Sequence, residues 1–104
     1  MTQFDVHRNS GPLKDDIPFV VIVQSSLFDG LRRRVVVPLV RGGPSVTGTR
    51  LNPVFRIKGV QVALNPLDIV SARMDQLGPK VGSLSDEGQA ISDALDEMLT
   101  RSWG

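Results

Sequence analysis

An α+β fold, with a mostly antiparallel sheet followed by one C-terminal helix, is predicted by two features of this sequence. From Phe4 to Met74 the apolar residues come in short runs rich in valine and isoleucine, bounded by Gly, Pro, Asn or Asp. After Leu84 the period changes. Ile91, Ala94, Leu95 and Met98 fall at i, i+3, i+4 and i+7, the stripe of an amphipathic helix. Strands first and a helix last favour α+β over an alternating α/β chain.

The first strand is read at residues 3–7. Phe4 and Val6 point one way, and Gln3, Asp5 and His7 the other, which predicts a half-buried strand with a polar outer face. Asn9, Ser10, Gly11 and Pro12 break it. Residues 19–23 read Phe-Val-Val-Ile-Val. The run is β-branched and too short for an independent helix, so a central strand buried on both faces is expected. Residues 25–30 make a turn or short connection, signalled by Asp29-Gly30. Residues 33–37 form the next strand, which is expected to end near Pro38 because proline has no backbone donor.

Residues 41–45 have loop chemistry, and small polar residues continue to Arg50. Two short strands follow at 54–57 and 60–64, joined by a Lys58-Gly59 hairpin turn. Asn65-Pro66 interrupts, residues 69–74 suggest a further strand, and Gly78-Pro79 is another turn. The helix is expected over residues 86–100, about 22 Å long. Ser85 is its expected N-cap, and Asp86 and Glu87 place negative charge in its first turn. Gly88 is expected to weaken it by up to ~1 kcal/mol relative to alanine.

The chain has 104 residues, which fits one domain spanning 1–104, and a hydrophobic fraction of 40%, enough for one core. Net charge is +1, which argues against a dedicated nucleic-acid binder. There is no cysteine, so disulfides, thiolate metal sites and cysteine nucleophiles are excluded. Residues 1–5 lack the basic start and apolar stretch of a signal peptide, and no run approaches the ~20 apolar residues of a membrane span. A soluble, cytoplasmic protein without membrane contact is expected.

Few residues invite catalysis. His7 is the single histidine, so a His-rich metal site is excluded, and neither metal nor cofactor is expected. A lone strand histidine reads as a solvated surface residue. Arg41-Gly42-Gly43-Pro44 lacks the Lys-Ser/Thr pair of a phosphate loop. Arg32, Arg33 and Arg34 form the densest positive cluster, either a solvated strand entry or a contact for an acidic partner. Asp93, Asp96 and Glu97 solvate the outer face of the helix. Trp103, the single tryptophan and penultimate residue, has two readings. It packs back onto the domain or a dimer mate, or it anchors in a partner's pocket.

Taken in order, these segments resemble the CcdB toxin family. The resemblance is carried by Gln3-Phe4 with Val6, by Val23-Gln24-Ser25, and by the paired arginines Arg32-Arg33 leading to Pro38-Leu39. It continues through residues 51–57 (Leu-Asn-Pro-Val-Phe-Arg-Ile), Asp68, Leu84-Ser85, the helix residues Ile91, Ala94 and Leu95, and Trp103-Gly104. It implies an SH3-like antiparallel β-barrel with a small β wing and a C-terminal helix. It also implies a homodimer that binds the DNA gyrase A subunit, traps the gyrase–DNA cleavage complex, and is neutralised by a cognate antitoxin. Trp103 and Gly104 would be the gyrase contact, and no catalytic residue is implied.

The chain departs from the family in four places. It lacks a closing isoleucine, its tail after Leu95 is longer, Ile22 replaces an acidic residue, and Arg73 stands where proline is common. Two rival readings remain at this level. One is a MazF-like endoribonuclease on the same barrel, with Arg32, Arg33, Arg34 and Arg56 supplying a basic groove. The other is a folded homologue that has lost toxicity.

Overall fold

The strand-forming runs settle into one curled antiparallel sheet. The computed structural model describes residues 2–42 and 48–100. The strands are β1 (Asp5–Arg8), β2 (Phe19–Ile22), β3 (Arg33–Arg41), β4 (Val54–Ile57), β5 (Val60–Leu64), β6 (Val70–Arg73) and β7 (Lys80–Ser83), followed by helix α1 (Gly88–Leu99). They are hydrogen-bonded in the order β4-β5-β3-β2-β1-β7, with β6 also paired to β3. The barrel-like α+β architecture is therefore the one expected. The hairpin of β4 and β5 turns through Lys58 (φ 51°) and Gly59 (φ 78°), both left-handed, as a tight primed turn requires.

β3 does not stop at Pro38. Its near end pairs with β6 as far as Val36↔Val70, and its far end pairs with β5 from Leu39↔Leu64. Pro38 falls in the gap between these two partners. Its carbonyl still accepts from Asn65 N at 3.0 Å, so its backbone faces that side. Where no partner strand asks for a donor, proline costs the sheet nothing.

β1 also departs from expectation, because its polar face is buried. Asp5 and His7 are covered although they alternate with Val6 as predicted. β7 flanks β1 as the next strand of the sheet, although its Lys80-Val81-Gly82-Ser83 carries too little apolar signal to read as a strand. Asp5 accepts from Thr2 N at 2.9 Å and lies 3.3 Å from Lys80 Nζ. β2 is buried throughout, as its composition predicts.

The main core joins Val6, Phe19, Val21, Val37, Leu39 and Leu64 of the sheet to Ile91 and Ala94 of α1. Each of these side chains larger than alanine contributes roughly 1.5–3 kcal/mol on burial. Phe55, Ile57 and Val62 join the same core, so the β4–β5 hairpin is held down rather than free. The sheet's second face carries a smaller cluster of Val20, Ile22 and Val36. This face opens as a cleft of about 300 Å³ lined in part by Val20, Val36, Pro38, Val70, Ala72 and Leu77.

The helix begins later than expected. Ser85–Glu87 is a 3-10 turn, and the cap position of α1 is Glu87, not Ser85. Gly88, read from sequence as a weak point, is a packing requirement: a Cβ there would lie 2.7 Å from Phe4 Cε2. Phe4 cannot easily retreat, since its backbone is left-handed (φ 69°) and Leu84 N donates to its carbonyl at 2.8 Å. Gly88→Ala is therefore expected to lower stability by about 1 kcal/mol through overpacking, despite alanine's better helix propensity. In a Phe4→Ala background the sign should reverse. Urea denaturation of the four-member cycle measures this, and a stabilising Gly88→Ala with Phe4 intact would refute it.

Candidate functional site

The residues that the family resemblance marks for gyrase contact, Trp103 and Gly104, lie outside the described residues. The structure does describe the helix that leads to them. Ile91 and Ala94 pin α1 to the core, and Leu95 and Met98 are half-buried. Thr100 closes it, its Oγ1 donating to Asp96 O at 2.8 Å. The acidic outer face does more than solvate. Arg50 Nε lies 3.0 Å from Glu97, and Arg50 Nη2 lies 3.8 Å from Asp93, which ties the segment before β4 to the helix. Leu99, at the end of α1, is exposed, and so is Leu67 on the 3-10 turn Pro66–Asp68 that packs against α1.

The second feature is the turn into β3. Ser25 Oγ accepts from Leu27 N, and Leu31 N closes on Phe28 O at 3.1 Å. This geometry leaves Leu27 87%, Phe28 50% and Leu31 57% exposed. Arg34, expected to be solvated with its neighbours, is instead 1% exposed and is the largest fully buried side chain. Its guanidinium donates to the carbonyl oxygens of Asp29, Leu31 and Arg33, the last at 3.0 Å. Its Nε has no partner. The arginine run looks uniform in sequence. Only the turn's inward-pointing carbonyls select Arg34 for burial.

Arg32 and Arg33 stay exposed. Arg33 lies directly opposite Arg73 in the β3–β6 pair. Arg33 Nη1 donates to Ser71 O at 3.2 Å, and Arg73 Nη2 lies 2.7 Å from Asp75 Oδ2. Arg32, Arg73, Met74 and Asp75 line a cleft of about 250 Å³. An apolar lip and a cationic cleft thus adjoin at Leu31-Arg32. Neither the lip nor the Arg33–Arg73 juxtaposition was legible in sequence, because the second arginine comes from β6.

No catalytic set converges here among the described residues. His7 is not a surface residue; it is 4% exposed. Its Nδ1 lies 2.8 Å from Gly78 O and so carries the proton it donates, while Nε2 is buried without a partner. Its partner is a carbonyl, not the serine or aspartate of a triad. Arg56 sits on β4, separated from β3 by β5, with Nη1 donating to Gly59 O at 3.1 Å. With Arg34 buried, the four arginines do not form one groove. Among the described residues no cluster of three metal-ligating side chains occurs, and no helix is long and apolar enough to cross a membrane.

These features define a small barrel-like protein whose displayed chemistry is a binding surface. The family model of the CcdB protein matches residues 3–101, and the chain belongs to the CcdB family, the gyrase-binding toxins of toxin–antitoxin pairs. The resemblance read from its ordered segments is thereby confirmed. No curated protein matches the chain significantly. A solved structure described as an endoribonuclease from mycobacterial species superposes with a TM-score of 0.71 at 17% identity, over 100% of this chain and 95% of that one. At that identity the likeness establishes the shared fold.

Proposed function

We propose that this chain is a toxin that binds the DNA gyrase A subunit, traps the gyrase–DNA cleavage complex, and is neutralised by a cognate antitoxin. The family match over residues 3–101 is the observation that carries this reading. The toxin works by binding, as a single domain in the cytoplasm, and needs neither a cofactor nor direct contact with nucleic acid. Trp103 and Gly104 are its gyrase contact. It acts as a homodimer, for which exposed Leu67 and Leu99 on two packed elements offer apolar surface. A two-fold dimer would present its contact site twice.

A supercoiling assay tests the reading. The purified chain is expected to inhibit gyrase and to accumulate cleaved DNA. Absence of both inhibition and A-subunit binding would refute it. The second reading, a MazF-like endoribonuclease, is favoured by one observation, the fold shared with the mycobacterial endoribonuclease. Against it stand the burial of His7 and Arg34. RNA cleavage by the wild type that is lost on Arg32→Ala or Arg56→Ala would establish the rival.

A further inference from the structure

We propose that the cleft on the sheet's second face is a binding site for a small, uncharged, largely apolar molecule carrying one hydrogen-bonding group. The inference is independent of the toxin reading above.

The cleft is built before any ligand arrives. Its floor is Val20 of β2 with Val36 and Pro38 of β3. One wall is the loop between β1 and β2, which brings Leu13 and Ile17, and the other is the segment before β7, which brings Leu77. The loop is closed on itself. Asn9 Nδ2 donates to Ile17 O at 2.8 Å, and Asn9 Oδ1 accepts from Gly11 N at 3.0 Å. Arg41 N donates to Asp16 O at 2.8 Å, which ties the loop to β3. Ser10 Oγ donates to Gln76 O at 3.2 Å, which ties one wall to the other. Binding therefore meets a preorganised surface and orders little of it.

The lining selects the ligand. Arg8 is its one ionisable residue, and the Arg8 guanidinium lies 5.7 Å from the centroid of the Phe19 ring, which belongs to the main core on the sheet's other face. No charge is left to face the cleft, so an ionised ligand would be desolvated there without a partner. Of the two lining amides, Asn9 is engaged as both donor and acceptor, whereas the Gln76 side chain makes no hydrogen bond among the described residues. Gln76 thus offers one polar contact beside an apolar bed. A volume of about 300 Å³ suits roughly 10–15 non-hydrogen atoms at interior packing density, the small end of ligand sites. An incoming helix, about 10 Å across, is too wide. An incoming strand finds no main-chain partners on the floor, because β2 pairs with β1 and β3, and Val36 of β3 is already paired to Ile22 and Val70.

The test titrates the full chain with naphthol, a neutral ring compound with one hydroxyl, and follows backbone NMR shifts. Naphthol should bind with a dissociation constant of about 100 μM, with shifts gathered at Leu13, Ile17, Ala72 and Leu77. Naphthoate, of similar size but charged, should bind at least tenfold more weakly. Ala72→Phe fills the cleft and Leu13→Asp puts a carboxylate on its wall, and each should weaken naphthol at least tenfold. Leu13 lies on an exposed loop, so its variant keeps the test decisive if Ala72→Phe does not fold. Gln76→Leu should weaken naphthol about threefold and leave naphthalene binding unchanged, a split that damage to the fold would not produce.

An absence of shifts at millimolar naphthol overturns the site. So does equal binding of naphthol and naphthoate, or unchanged affinity in a folded Leu13→Asp variant. If the cognate antitoxin, or self-association at higher protein concentration, displaces naphthol from Leu13 and Leu77, the cleft is a protein-docking surface and the small-molecule site falls.

Discussion

Arg34→Ala is expected to destabilise the fold by about 3–4 kcal/mol, combining a core cavity with carbonyls left unpaired. Three acceptors lose their donor at once, the carbonyls of Asp29, Leu31 and Arg33, all in one turn. The guanidinium is almost fully buried, and no carboxylate forms an ion pair with it among the described residues. Its burial therefore carries a desolvation cost that the carbonyls only partly offset. Two further variants separate charge from shape. Arg34→Met keeps most of the volume and removes both the donors and the buried charge, so its loss should be smaller, about 1–2 kcal/mol. Arg34→Lys keeps the charge but cannot fork across three acceptors, and should be less stable than methionine. Urea denaturation ranks the three. A lysine variant as stable as the wild type would show that charge alone holds the turn, and would refute the donor account.

Trp103→Ala is expected to weaken binding to the gyrase A subunit by roughly 30- to 1,000-fold, the equivalent of losing an anchor worth about 2–4 kcal/mol. Tryptophan combines a large apolar area with one donor, which is why it recurs as a binding anchor. Calorimetry with the A subunit measures the loss, and expression in a sensitive bacterium reads its consequence. Wild type should be toxic and Trp103→Ala harmless. Equal toxicity would keep the toxin but move its site away from Trp103. Equal harmlessness would identify a folded homologue without activity. Fold stability should be the same in both proteins, because α1 is secured by Ile91 and Ala94, well before the tail.

Several elements could be read without the structure because their signals are local. β2 is continuous and β-branched, so its burial on both faces follows from composition. Lys58-Gly59 specifies its own hairpin because both residues must take positive φ. The stripe of Ile91 and Ala94 faces the core because 3.6-residue periodicity puts it there. The misreadings share one cause. β7 is a strand because β1 offers it partners, not because its residues favour one. Gly88 was misread because Phe4, which fills the space beside it, is 84 positions away in the chain.

The alternation of strands, the hairpin, the final helix and the ordered segments of a CcdB toxin were thus determined by the sequence alone, since each depends on residues close together in the chain. Which polar groups are buried was decided only in three dimensions. His7 lies under Gly78, Arg34 fills a ring of carbonyls, and β3 passes Pro38 because its backbone groups face the gap between β6 and β5 rather than its paired neighbour β2. The candidate binding surface belongs to this second group. Its cations come from β3 and β6 and its apolar lip from the turn between β2 and β3, so only folding brings them together. Burial and juxtaposition depend on distant segments that cover or meet a residue, and no local pattern encodes them.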